Sequence, residues 1–220
     1  MLKLNLHRRI TLVLQLILLV EVVIALYTQQ WMTATITCGI ILVTLSPFFL
    51  RKVWGVYIPP EFALLTISFV FASLFLGEVH DYYARFWWWD IALHSCSGAL
   101  LGIIGFLLVY LLNETKNIGV NMKAGFVAFF AFLFAIGVGA LWEVFEFTMD
   151  SLFGMTMQKP MLNDPSGLTD TMWDLIVDTL GALFISILGY GYLKTAQKKS
   201  FLERWIHAFI VNNPRLFKNS

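Results

Sequence analysis

The chain has 220 residues, 59% hydrophobic and 13% charged, with a mean hydropathy of +0.75 and a formal net charge of +1 at pH 7. Soluble domains run about 45–50% apolar and about 25% charged, so a water-soluble globule is excluded as the expected class. An aromatic content of 16% speaks against disorder, two Cys against a disulfide scaffold, and the near-zero charge against a nucleic-acid partner.

A helix needs about 20 mostly apolar residues to cross about 30 Å of hydrocarbon. Six stretches meet this, over roughly 10–28, 31–50, 61–79, 90–112, 124–148 and 172–193. The first follows Lys3, Arg8 and Arg9, as a secretory signal would. Its apolar run is long for a signal, and no small-x-small cleavage site precedes Gln29 and Gln30, so a retained helix is expected. Basic residues follow the even-numbered spans: Arg51 and Lys52, then Lys116 and Lys123, then a tail with Lys194, Lys198, Lys199, Arg204, Arg215 and Lys218. With the N-terminal three they make 13 of the 15 Lys and Arg; only Arg85 and Lys159 fall in the other loops. Lys and Arg gather on the cytoplasmic side of short loops, so both termini are expected in the cytoplasm of a bacterial-type inner membrane. The expected architecture is all-α: a polytopic bundle of six transmembrane helices over 1–194, then a basic tail over 195–220. In the tail, Phe201, Leu202, Trp205, Ile206, Phe209 and Ile210 recur at helical spacing, which reads as an interfacial amphipathic helix on anionic lipid or as a solvated basic tail.

Ten of the 14 acidic residues fall on the opposite, outer side. Acids contribute little to topology, so this asymmetry needs its own cause. Residues three or four apart share a helix face. Asp90 and His94 are four apart entering the fourth span; Glu143, Glu146 and Asp150 are three and four apart leaving the fifth; Asp170, Asp174 and Asp178 are each four apart entering the sixth. Three helices thus carry polar stripes at one membrane depth, and the stripes can converge on one outward-facing pocket. An ionised acid at the bilayer centre costs about 2.5–3.5 kcal/mol on insertion scales, and facing acids repel. Protonation, a basic partner or a bound cation can offset this.

Carboxylate oxygens with an imidazole nitrogen make the ligand sets of many metal sites. The expectation is a divalent ion, Zn, Mn, Fe or Mg, held by Asp90, His94, Glu143, Glu146, Asp174 and Asp178, with Glu143 or Asp174 as catalytic base. The competing reading of Glu143, Glu146, Asp174 and Asp178 is protonated acids bonding between helices. Asp150, Asp164 and Asp170 lie at or beyond the span ends. Asp164, in Asn163-Asp164-Pro165-Ser166-Gly167, reads as a solvated turn residue, and Asp170 as a helix cap or a ligand. His80 can lie over the pocket or in an exposed loop, and Glu21 can join the site or pack within its span. Gly98, Gly102, Gly105, Gly137, Gly139, Gly181 and Gly189 permit close helix contact. The apolar loop 151–169 can be a lid or a plain connector.

The stretch Trp142-Glu143-Val144-Phe145-Glu146, with Asp170-Thr171-Met172-Trp173-Asp174-Leu175-Ile176-Val177-Asp178-Thr179-Leu180-Gly181-Ala182, resembles a signature of the YjdF-like bacterial inner-membrane proteins. Trp89-Asp90-Ile91-Ala92-Leu93-His94-Ser95-Cys96-Ser97-Gly98 resembles that family's other signature. The likeness covers about residues 80–190 and implies the fold and site location but no reaction. A weaker likeness is to VanZ-like membrane proteins, whose Asp-x-x-x-Asn-x-x-Gly helix has Asp174-x-x-x-Asp178-x-x-Gly181 as its counterpart here.

Together these readings predict an outward-facing acidic and His site, metal-binding, in a hydrolase or transferase acting on a lipid or envelope precursor. A proton or divalent-cation transporter or channel is the alternative, and a non-catalytic cation-binding subunit a third. Membrane lipids are the expected partners; oligomeric state is left open.

Overall fold

In hydrocarbon every backbone amide and carbonyl must find its partner within the segment, and helices achieve this. Every regular element among the described residues is accordingly helical. The structure is a computed structural model and describes residues 6–114, 122–195 and 201–214. Five helices are long and apolar enough to cross a membrane, and a bent pair makes a sixth if it is one span. The chain is thus a polytopic helical membrane protein.

The described residues form two compact units, 6–89 with 207–214, and 90–195 with 201–206. The first holds α1 (Leu6–Tyr27), α2 (Trp31–Thr44), α3 (Ser46–Trp54), α4 (Pro60–Val70), a π-helical continuation (Phe71–Val79) and the short α5 (Tyr82–Arg85). The predicted span 31–50 is not one straight helix: α2 and α3 meet at 47°. Pro47, in the first turn of α3, has no amide for the carbonyl of Val43, and its ring crowds that carbonyl, so the ladder breaks there. Arg51 and Lys52 therefore lie in the last turn of α3 rather than in a loop. The buried centre of this unit is Leu18, Ile40, Phe71 and Phe75, flanked by Leu14, Ile41, Val70 and Leu74. Gln15 Nε2 donates to Thr44 Oγ1 at 2.6 Å, a polar tie between α1 and α2 of the kind that joins helices in lipid. The exposed Leu12, Leu16, Leu19 and Val23 of α1 are what a lipid-facing helix presents.

The second unit holds α6 (Trp89–Glu114, from Asp90 onward), α7 (Ala124–Phe153) and α8 (Leu168–Thr195). Lipid tails are as apolar as Leu, so these helices gain little from hydrophobic burial and associate by close backbone approach. A Cβ at Gly98 would lie 2.1 Å from the Asp178 carbonyl oxygen, and one at Gly181 would lie 2.2 Å from that of Ser95. Gly105 meets Ala131 in the same way, and Gly189 meets the Phe106 ring. Gly137 departs from the expected pattern, since nothing lies within 4 Å of its Cβ position.

Two predicted boundaries move outward. α7 runs on to Phe153 because no breaker precedes Gly154, which closes it at φ +64. α8 begins at Leu168, where Ser166 Oγ accepts from the Leu168 amide and Asp164 Oδ2 from the Thr169 amide. Asp150 and Asp170 are therefore inside helices, not beyond their ends. The tail contains α9 (Phe201–Asn212). The side chains of Phe201, Leu202, Ile206 and Ile210, and the residues Lys116, Lys198, Lys199, Arg215 and Lys218, lie outside what the structure describes.

Candidate functional site

The three acidic stripes meet around the imidazole of His94, on α6. Its Nε2 lies 3.6 Å from Asp90 Oδ1, one turn earlier, and 3.9 Å from Asp174 Oδ2 of α8. Its Nδ1 lies 3.4 Å from Asp178 Oδ2 of α8 and 4.0 Å from Glu143 Oε1 of α7. Each ring nitrogen thus faces a pair of carboxylates. The helical period dictates this: Asp174 and Asp178 are one turn apart along α8 and meet the two edges of a ring that projects between them.

The glycines make the approach possible. Gly98 lets α8 come down at Asp178, and a Cβ on Gly139 of α7 would stand 2.6 Å from Asp178 Oδ2. Ser97 was not singled out by sequence, although it is three residues from His94 and on its face. Its hydroxyl contacts Asp178 Oδ1 and lies 2.8 Å from the His94 carbonyl oxygen. Asp178 thus meets Ser97 with one oxygen and His94 Nδ1 with the other. With the proton on Nδ1, where the carboxylate can accept it, the imidazole would offer the Nε2 lone pair toward Asp90 and Asp174.

Glu143 is 4% exposed and Asp174 is 1% exposed, yet none of their four carboxylate oxygens has a hydrogen-bond partner among the described residues. Buried polar atoms are nearly always satisfied, because leaving one bare costs about 1–3 kcal/mol, more for a charged group. One ligand atom from each of Asp90, His94 and Asp174 falls within 4.8 Å of the other two. A divalent ion about 2.0–2.2 Å from nitrogen and oxygen ligands asks for such a convergence, and three protein ligands leave a coordination position open. The donor set and the orphaned oxygens therefore fit a cation.

The remaining predicted residues have other partners. Glu146 is buried and accepts from Trp142 Nε1 at 2.9 Å, one turn earlier on its own helix. Asp150 accepts from the Met157 amide at 2.7 Å and the Gln158 amide at 2.9 Å. Asp170, expected as a cap or a ligand, accepts from the Lys159 amide at 2.7 Å. Three consecutive loop amides are thus held by acids from α7 and α8, and Gln158 Nε2 adds a bond to Thr171 Oγ1 at 2.7 Å. The loop after α7 is thus fastened to both helices. Asp164, expected as a solvated turn residue, accepts four hydrogen bonds from the hydroxyls and amides of Ser166 and Thr169. The Ser166 contacts above all hold its carboxyl well below the usual carboxylate range. In the other unit, His80 Nε2 stands 3.8 Å from Glu21 Oε2, with the Phe75 ring edge-on at 4.6 Å between centroids.

The family of predicted membrane proteins DUF2238 matches residues 6–195. An uncharacterised protein of Thermotoga maritima is 29% identical over 145 residues, which cover 66% of this chain and 70% of that protein. No solved structure matches the chain. The narrower YjdF-like and VanZ-like resemblances remain likenesses of motif. By the extent of the family match, the chain belongs to the DUF2238 family of predicted membrane proteins.

Proposed function

We propose that this member of the DUF2238 membrane-protein family holds a divalent cation between Asp90, His94 and Asp174, and works on a lipid or envelope precursor at the outer face of a bacterial inner membrane. The observation that carries the reading is the pair of buried carboxylates, Glu143 and Asp174, with bare oxygens on either side of one imidazole. The orientation rests on the distribution of Lys and Arg.

Each residue then has a task. Asp90 and Asp174 supply oxygen, and His94 supplies Nε2. Asp178 keeps the His94 ring in place through Nδ1–H, as a carboxylate behind a metal-bound His commonly does, and Ser97 steadies Asp178. Glu143 lies outside the three-residue set, with neither oxygen hydrogen-bonded and one of them 4.0 Å from His94 Nδ1, and is the group to take up a proton. When bound, the cation would supply Lewis acidity toward a phosphoryl or carbonyl oxygen and lower the pKa of water. The YjdF-like motif resemblance agrees with this location and adds no reaction.

A second reading has one observation in its favour. Both ring nitrogens of His94 face carboxylates, so the imidazole can pass a proton from the Asp90 and Asp174 edge to the Asp178 and Glu143 edge. The same residues would then serve proton or cation movement.

Titration of the purified full-length protein with Mn2+, followed by the paramagnetic resonance of the free ion, separates the two. The metal reading expects the free-ion signal to be suppressed by wild type and restored by His94→Ala or Asp174→Asn. Full signal at every protein concentration, together with proton flux into vesicles that His94→Ala abolishes, would favour the second.

A further inference from the structure

The first unit carries a feature that the His94 site does not use. α3 has no buried residue, although it is bent 47° away from α2 and is nine residues long. Phe49, Leu50, Val53 and Trp54 share one arc of this helix, and Arg51 and Lys52 share the opposite arc. Trp54 is 72% exposed, and Val53, Phe48 and Phe49 are exposed as well. Both cations lie against aromatic rings of their own neighbourhood: Arg51 Cζ is 5.6 Å from the Tyr57 centroid, and Lys52 Nζ is 6.0 Å from that of Phe48.

Tyr57 is in turn fixed by the far end of the chain. Its amide donates to Asn213 Oδ1 at 2.5 Å, and its carbonyl accepts from Asn213 Nδ2 at 2.8 Å. The side-chain amide of a buried Asn thus pairs with a backbone unit as a neighbouring strand would. The same Nδ2 reaches the Phe209 carbonyl at 2.6 Å, so the last turn of α9 is fastened to the segment that follows α3.

We propose that α3, fastened through Tyr57 and Asn213 to the end of α9, is an interfacial foot that lies in the plane of the bilayer and binds anionic phospholipid headgroups through Arg51 and Lys52. A bent-off helix with Phe49, Leu50, Val53 and Trp54 on one arc, and Arg51 and Lys52 flanking Phe48 on the other, matches the chemistry of that boundary. Charge complementarity commits it to lipid: two cations beside exposed Phe and Trp suit a negatively charged surface with hydrocarbon beneath it.

The test uses full-length protein in nanodiscs of phosphatidylcholine, with and without phosphatidylglycerol. Native mass spectrometry reads which lipid is retained, and the emission lost in Trp54→Phe reads the position of Trp54. The expected result is retention of phosphatidylglycerol that weakens by about fivefold for each charge removed in Arg51→Gln and Lys52→Gln. The charge-keeping pair Arg51→Lys and Lys52→Arg should retain it. Trp54 emission should be quenched by lipids brominated high on the acyl chain. Phosphatidylglycerol retention unchanged in the neutral double variant would overturn the proposal. So would Trp54 emission quenched by aqueous iodide but not by brominated lipid, which would mark α3 as a surface for a soluble partner. The Trp54 reading is made against Trp54→Phe alone and does not depend on the charge variants folding.

Discussion

His94 Nδ1 stands 3.4 Å from Asp178 Oδ2, while the second oxygen of Asp178 takes the Ser97 hydroxyl. In the proposed metal site this contact keeps the proton on Nδ1, which turns the Nε2 lone pair toward Asp90 and Asp174. Asp178 is then the acid that holds the ring, and Asp90 and Asp174 are the acids that hold the ion.

Asp178→Asn keeps the shape but leaves one acceptor oxygen for the two contacts, to His94 and to Ser97, and removes the negative charge behind the ring. Mn2+ binding should weaken by about 10–100-fold, the usual cost of losing the group behind a ligating His. Ser97→Ala should weaken it less, because Asp178 keeps its contact with the ring. Paired titrations of the two variants check the order.

Glu146→Gln should leave Mn2+ affinity close to wild type, whereas Asp90→Asn and Asp174→Asn should each lower it strongly. Glu146 is engaged by Trp142 on its own helix, and Asp90 and Asp174 converge with His94. Equal losses across all three variants would return Glu146 to the ligand set that the sequence first gave it.

Gly98→Ala and Gly181→Ala should each lower the thermal midpoint in detergent, at a cost of about 1–3 kcal/mol or more. In both, the added methyl meets a carbonyl oxygen of the facing helix, which cannot swing aside as a side chain can. Gly137→Ala is the internal control, with nothing within 4 Å of the new methyl. It should be neutral or slightly stabilising, because Ala exceeds Gly in helix propensity by up to about 1 kcal/mol.

The start of α8 should be sensitive to acid through Asp164. Its hydrogen bonds to Ser166 and Thr169 lower the folded pKa, so the unfolded chain takes up the proton more readily. The stabilisation is therefore complete above the ordinary carboxylate range and is lost as pH falls through the folded value. The protection of the Thr169 amide, taken relative to its intrinsic exchange rate at each pH, should fall in acid in wild type. Asp164→Asn should be less protected at neutral pH and lose the acid dependence of that protection.

The fold was legible because apolar runs of membrane length can hardly be anything but helices, and the grouping of Asp90, Glu143, Asp174 and Asp178 followed from a 3.6-residue period at one depth. What the period cannot carry is which neighbour each acid meets. Asp150 and Asp170 belong to stripes that include ligand candidates, yet both are taken by loop amides, and such backbone partners leave no side-chain pattern. Pro47 was a visible signal for the break in the second span, overridden by a composition that stays apolar across it. Ser97 was legible by spacing alone, but a small hydroxyl among small residues does not stand out. Asn213 and Tyr57, 156 residues apart, pair through the Asn213 side-chain amide and the Tyr57 backbone, and could not be matched by sequence at all.

The most direct test is the divalent-metal content of full-length protein purified without chelator and then equilibrated with a mixture of Mn2+, Zn2+ and Mg2+. Close to one tightly held equivalent per chain is expected for wild type, and none for His94→Ala, as a three-ligand site requires. Wild type that elutes as bare as His94→Ala would contradict the account, leaving an imidazole among buried acids that only exchange protons.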